Sequence, residues 1–182
     1  MFPILESIMK NIEIKARCKN LNIIRKILKE EKAKDISKSE QIDTYFNSIN
    51  ARLKLREING KEFILIQYNR ANKKSSKFSD YKIYKTESPE DLKECLKRSL
   101  GIKVIVEKIR ELYEIDSTRI HLDEVNNLGT FLELETVVKN ELDTKKYKQE
   151  NKRIKNLLGI KNSNLIESSY SDLLLKRRRK VN

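Results

Sequence analysis

The sequence predicts an α+β fold: seven or eight strands, mostly joined as hairpins, with helices after the first strand, after the fifth and near the C-terminal end. Three observations predict it. Five segments, at 11–18, 52–56, 108–110, 119–123 and 131–135, place charged side chains at alternate positions with mostly apolar residues between them, which is the period of a strand. Two windows, 20–33 and 88–101, carry helical spacing and helix-end punctuation. Short turn signals, ING at 58–60, DST at 116–118 and NNLG at 126–129, separate the alternating runs.

NIEIKARCKN at 11–20 alternates strictly, with Ile12, Ile14, Ala16 and Cys18 on one face and Asn11, Glu13, Lys15 and Arg17 on the other. NLNIIRKILKEEKA at 20–33 then sets Leu21, Ile24, Ile27 and Leu28 in a stripe behind an Asn N-cap. QIDTYFN at 41–47 is β-prone, and RLKLRE at 52–57 pairs through the ING turn with KEFILIQYN at 61–69. ANKKSSKFSD at 71–80 reads as a polar loop, followed by a short strand near DYKIY. SPEDLKECLKRSLG has Ser88 as N-cap, Pro89 at the first helical position, acids in the first turn and Gly101 at its exit. IKVIVEKIRELY, RIHLDEV and FLELETVV supply three more strands, and a basic helix near 141–158 ends at Gly159. No repeat and no composition break marks a second domain, so the expected organisation is one domain over 1–175 and a basic tail at 176–182.

The chain has 182 residues, a net charge of +13 and 37% charged residues, which excludes a low-complexity chain and invites a polyanion partner. Cys18 and Cys95 have no neighbouring His or Cys at metal spacing, so neither a disulfide framework nor a zinc site is expected. No apolar run approaches the length of a membrane span, and MFPILESIM is too short for a signal peptide. A cytoplasmic location is expected. KRRRK at 176–180 reads first as a solvated, mobile tail, with nuclear import or RNA contact as its functional readings.

The alternating faces pool the cations Lys15, Arg17, Arg52, Lys54, Arg56, Lys108, Arg110 and Arg119 with the acids Glu13, Asp123, Glu133 and Glu135. An open sheet would turn these faces to water, whereas a closed one would line a polar interior with them, and periodicity does not choose between the two. The set suits a polyphosphate with a divalent metal: Arg and Lys satisfy phosphate oxygens, and carboxylates hold hard cations such as Mg²⁺ or Mn²⁺. Glu133 and Glu135 project to one side of their strand, about 6–7 Å apart at the backbone. His121, the only histidine, reads as a wall residue that orients a neighbour, with a general base as the sharper alternative. Cys18 reads as packing, and Tyr45 and Tyr68 as packed strand residues that could also meet an organic part of a substrate.

NIEIKAR at 11–17, RLKLRE at 52–57, TRIHLDEVNNLGTFLELE at 118–135 and SYSDLLL at 169–175 resemble the CYTH superfamily, the class IV adenylyl cyclase-like proteins and thiamine triphosphatase, also called triphosphate tunnel metalloenzymes. The similarity keeps motif order and spacing over nearly the whole chain. It implies an eight-stranded antiparallel barrel that forms a tunnel, with charges inside and helices packed outside. It further implies that Glu13, Glu133 and Glu135 are catalytic and metal-binding, that Asp123 is a metal or supporting residue, and that Lys15 and the basic positions named above grip the triphosphate. Asn11 stands where the family's first acid would be, which puts a second metal site in doubt.

The expected activity is metal-dependent hydrolysis of inorganic triphosphate, thiamine triphosphate or a nucleoside triphosphate by a monomer or homodimer. The alternative enzyme is an adenylyl cyclase releasing cyclic AMP and pyrophosphate; RNA 5′-triphosphatase activity stays open. From another class, the alternative is a protein that binds polyphosphate, nucleotide or nucleic acid without turnover. Nucleic acid is not favoured, because interior positions account for much of the positive charge and aromatics for base stacking are few, at 7%.

Overall fold

The computed structural model describes residues 10–70 and 77–181. Its strands are β1 (Lys10–Arg17), β2 (Lys34–Phe46), β3 (Arg52–Ile58), β4 (Glu62–Arg70), β5 (Lys77–Lys85), β6 (Ile102–Ile115), β7 (Thr118–Val125) and β8 (Gly129–Val138). Helix α1 (Leu21–Glu30) follows β1, α2 (Pro89–Leu100) follows β5, and α3 (Thr144–Leu157) and α4 (Tyr170–Val181) follow β8. The strands close into an antiparallel barrel in the order β1-β5-β4-β3-β2-β6-β7-β8, with β8 returning to β1. Closure decides the question periodicity leaves open: the alternating charged faces point inward.

Local chemistry accounts for the elements. Asn20 caps α1 by accepting a 2.9 Å hydrogen bond from the Asn22 amide. Asn59 and Gly60 both take positive φ, 51° and 63°, in the tight β3–β4 turn, as a twisted hairpin requires. Ser88, Pro89 and Gly101 occupy the expected ends of α2.

The main apolar core lies outside the barrel. Outward-facing Ile14, Ala16, Ile120, Leu122, Leu132 and Leu134 pack under Leu21, Ile24 and Leu28 of α1 and Ile154 of α3, with Cys18 packed against them. This matches the stripe on α1 to the apolar alternation of β1, β7 and β8.

A second core fills one end of the interior. Val104, Val106, Val125 and Phe131 pack with Tyr45 and with Tyr170 of α4, and Leu173 and Leu174 lie against them. α4 therefore caps one mouth of the barrel, where the sequence suggests helices outside the sheet only. The KRRRK run lies on this helix, with residues 176–179 exposed along it. Helix thus replaces the expected mobile tail, because the apolar end of the barrel gives the preceding turns a surface to pack on.

Two strands exceed their sequence signals. β2 begins at Lys34 rather than near Gln41, since KDISKSE pairs with the C-terminal half of β6 and pairing overrides weak propensity. β5 begins at Lys77, inside the stretch expected as a loop, while 71–76 fall outside the described residues. Among the described residues no helix is long and apolar enough to cross a membrane.

Candidate active site

Strand register assembles the site in rows. Across β1 and β8, Glu13 lies opposite Glu135 and Lys15 opposite Glu133. Across β7 and β8, Arg119 faces Glu135 and His121 faces Glu133. Arg110 is opposite Asp123, and Arg56 and Lys54 are opposite Asp43 and Tyr45. Inward side chains from these rows line a cavity of about 330 Å³, which brings together Glu13, Lys15, Lys54, Arg56, Lys108, Arg110, Arg119, Glu133 and Glu135.

Asp43 is at the centre of the basic cluster. Its Oδ2 accepts from Lys54 Nζ at 3.0 Å, Lys108 Nζ at 2.8 Å and Arg56 Nη2 at 2.8 Å, and its Oδ1 accepts from Arg56 Nε at 2.6 Å. Burial pushes this carboxyl up, but Arg56, Lys108 and Lys54 outweigh it and hold the group well below the usual carboxylate range. Burial brings Lys108 down to about 8, with Asp43 opposing and Arg56 and Arg110 adding to the shift. Sequence reasoning does not single out Asp43. The available signal is its position, two residues from Gln41 and Tyr45 on a strand facing RLKLR.

Asp123, expected as a metal or supporting residue, lies among the protein's own donors. It is fully buried; Arg110 donates to Oδ1 and Oδ2 through Nε and Nη2 at 2.6 Å each, and Tyr170 Oη donates to Oδ2 at 2.7 Å. Both oxygens accept from the protein's own donors, so Asp123 fixes Arg110 and ties α4 to the barrel. Arg110 in turn reaches Glu133 Oε2 at 3.0 Å.

Two expected phosphate ligands lie elsewhere. Arg17 is exposed, donates to the Leu128 carbonyl at 3.3 Å and covers the Phe131 ring at 5.2 Å. Arg52 pairs with Asp172 of α4 at 2.9 Å and sits 6.0 Å from the Tyr68 ring centroid. Both serve the capped end of the barrel, beyond the cavity wall, because the tunnel's inner face changes from charged to apolar along its length.

On the acidic side, Glu133 pairs with Lys15 at 3.0 Å and Glu135 with Arg119 at 3.6 Å, while Asn11 Nδ2 donates to Glu135 Oε1. Burial, then Glu13 and Glu133, push the Glu135 carboxyl up. Lys15 Nζ also lies 3.6 Å over the Tyr170 ring. His121 is buried beside both acids, with Nδ1 at 4.0 Å from Glu133 and Nε2 at 3.7 Å from Glu135. Burial and then Arg110 bring it down to about 3, so its imidazole is neutral at physiological pH.

Glu13, Glu133 and Glu135 present hard oxygen donors on two adjacent strands, and the crowding that raises Glu135 is the field a divalent cation would relieve. The donor set therefore fits the metal. Among the described residues no three His, Cys, Asp or Glu side chains form a ready-made cluster, and Glu133 and Glu135 are engaged by Lys15, Arg110 and Asn11.

The family model described as "CYTH domain" matches residues 9–170. A protein of Methanocaldococcus jannaschii named "putative adenylate cyclase" is 30% identical over 174 residues, covering 91% of this chain and 98% of that protein. A solved protein from Pyrococcus horikoshii OT3 superposes with a TM-score of 0.80 at 25% identity, over 90% of this chain and 98% of that one. A Hippeastrum protein, called a "putative adenylyl cyclase" with "a dominant" triphosphatase activity, shares the fold at a TM-score of 0.63 and 13% identity, over 93% and 95% of the two chains.

Proposed function

The chain belongs to the CYTH domain family, and on that premise we propose that it is a divalent-metal-dependent triphosphatase. The observation that carries this reading is Asp43, one buried carboxylate that accepts from Lys54, Arg56 and Lys108 together at the wall of the cavity. Such an excess of buried cations is costly without a polyanion, and a triphosphate chain supplies one.

Lys54, Arg56 and Lys108 bind phosphate oxygens on one side of the cavity; Lys15, Arg110 and Arg119 do so on the other. Asp123 and Tyr170 hold Arg110 in a fixed plane, so its contribution to leaving-group charge requires no reorganisation at the moment of reaction. Glu13, Glu133 and Glu135 would hold Mg²⁺ or Mn²⁺, which supplies Lewis-acid polarisation of a phosphoryl oxygen when bound. Glu135, ionised once a bound cation offsets its acidic neighbours, would take the proton of the attacking water. Neutral His121 stands between the two acids as an orienting wall residue.

The test offers inorganic triphosphate, thiamine triphosphate and ATP with Mg²⁺ and with Mn²⁺, reading phosphate, pyrophosphate and cyclic AMP, with Glu133→Gln/Glu135→Gln as control. Metal-dependent phosphate release lost in the double variant supports the triphosphatase. Cyclic AMP with stoichiometric pyrophosphate would move the assignment to a cyclase, which needs the same clamp. A raised melting temperature without turnover would leave a binding protein.

A further inference from the structure

Building on the triphosphatase reading, we propose that the β4–β5 wall of the cavity is a seat for a neutral, planar organic group, making a nucleoside triphosphate the preferred ligand over inorganic triphosphate. The cavity is chemically divided. Ile66 and Tyr68 of β4 and Ile83 of β5 line the same space as Lys54, Arg56 and Lys108. Register makes the division sharp: Lys54 lies opposite Ile66, and Ile66 opposite Ile83, so one row around the wall runs cation, isoleucine, isoleucine.

Ile83 remains 47% exposed in this position. Phosphate oxygens gain nothing from an isoleucine surface, whereas a ligand carrying its own apolar face removes both surfaces from water. Tyr45 and Tyr68 add a polar edge beside this wall, with hydroxyls 3.4 Å apart and rings 5.5 Å and 5.9 Å from Lys54 Nζ. That combination of apolar body and hydroxyl edge suits a heteroaromatic ring with hydrogen-bonding groups on its rim.

Charge selects among such rings. The ionic groups around the wall include Lys54 and Arg56, whose shared carboxylate Asp43 already accepts from three donors, and Lys85, two positions from Ile83 and paired with Glu62; Glu13 lines the same cavity. A ring with a fixed positive charge, such as the thiazolium of thiamine triphosphate, meets repulsion there, while a neutral nucleobase does not.

Equilibrium binding of ATP, GTP, thiamine triphosphate and inorganic triphosphate, measured by calorimetry in EDTA so that metal-dependent turnover is suppressed, tests this. The nucleotides are expected to bind roughly tenfold more tightly than inorganic triphosphate, and Ile83→Ser is expected to bring that ratio toward one. Ile66→Thr is a second variant with the same expected direction, should either protein fold poorly. Equal affinity with and without a base, an unchanged ratio in both variants, or tighter binding of thiamine triphosphate would overturn the inference while leaving the triphosphatase intact. Failure of every triphosphate to bind, both in EDTA and with Ca²⁺ in place of Mg²⁺, would remove the proposed function itself.

Discussion

Lys108 Nζ lies 2.8 Å from Asp43 Oδ2, and the same oxygen also receives Lys54 and Arg56. A single buried carboxylate thus keeps three cations in place. Asp43→Asn leaves those cations uncompensated and is expected to destabilise the ligand-free protein by about 3 kcal/mol. Inorganic triphosphate should then raise the melting midpoint of the variant more than that of the wild type. An equal shift in both proteins would show that the phosphates do not bind among these cations.

Lys108 gives the pH dependence. Burial lowers its ammonium from the usual lysine range to about 8, so above that pH the free protein has lost a charge that the proposed phosphate binding would have to restore. Triphosphate affinity is therefore expected to fall above pH 8, by up to about tenfold per pH unit. For folding the sign is opposite. Between about 8 and the ordinary lysine value the unfolded chain holds the proton and the folded one does not, so this group adds stability as pH rises. Lys54, on the same Asp43 oxygen, is also pushed well below the lysine range by burial and by Arg56, so Lys108→Arg, charged throughout, should remove the Lys108 part of the inflection and Lys54→Arg the rest, as titration calorimetry across pH 7–10 would reveal.

Much of the site is legible in sequence because strand alternation shows directly which residues share a face. Glu133 and Glu135 in FLELE, and Lys108 and Arg110 in the next-but-one strand, are found that way. What alternation lacks is position along the barrel axis. Arg17 and Arg52 have inward parity yet stand at the apolar end, where Phe131 and Tyr68 are their neighbours. Asp43 is illegible for a related reason: a lone acid in QIDTYFN acquires meaning only from β3 and β6 on either side. The capping role of α4 depends on Val104, Val106 and Val125 forming an apolar floor, which follows from closure rather than from any local motif.

Glu135 carries a trade between stability and function. Its carboxyl is raised by burial, Glu13 and Glu133, so only at pH between its unfolded and folded values does the metal-free folded protein hold a proton that the unfolded chain has already released. Stability from this group is present at low pH and is lost as pH rises through the folded value. Glu135→Gln is therefore expected to melt higher than the wild type at neutral pH without metal, while metal-dependent phosphate release falls roughly a hundredfold or more. A variant that melts lower and retains turnover would assign Glu135 to structure alone.

Asn11 tests how many carboxylates the site tolerates. It is fully buried, its amide nitrogen donates to Glu135, and its own Oδ1 has no protein hydrogen-bond partner. Asn11→Glu replaces that donor with a further acid beside Glu135, which already has Glu13 and Glu133 as neighbours, two positions from Glu13 on the same strand face. Without metal the added repulsion should lower the melting midpoint, because a donor is lost and a buried charge gained. With metal the sign reverses: one more hard oxygen ligand should tighten Mn²⁺ binding by roughly tenfold. Calorimetric Mn²⁺ titration together with melting curves in EDTA separates the two effects. Weaker metal binding in Asn11→Glu would mean that the asparagine amide, by orienting Glu135, does more for the ion than another charge can.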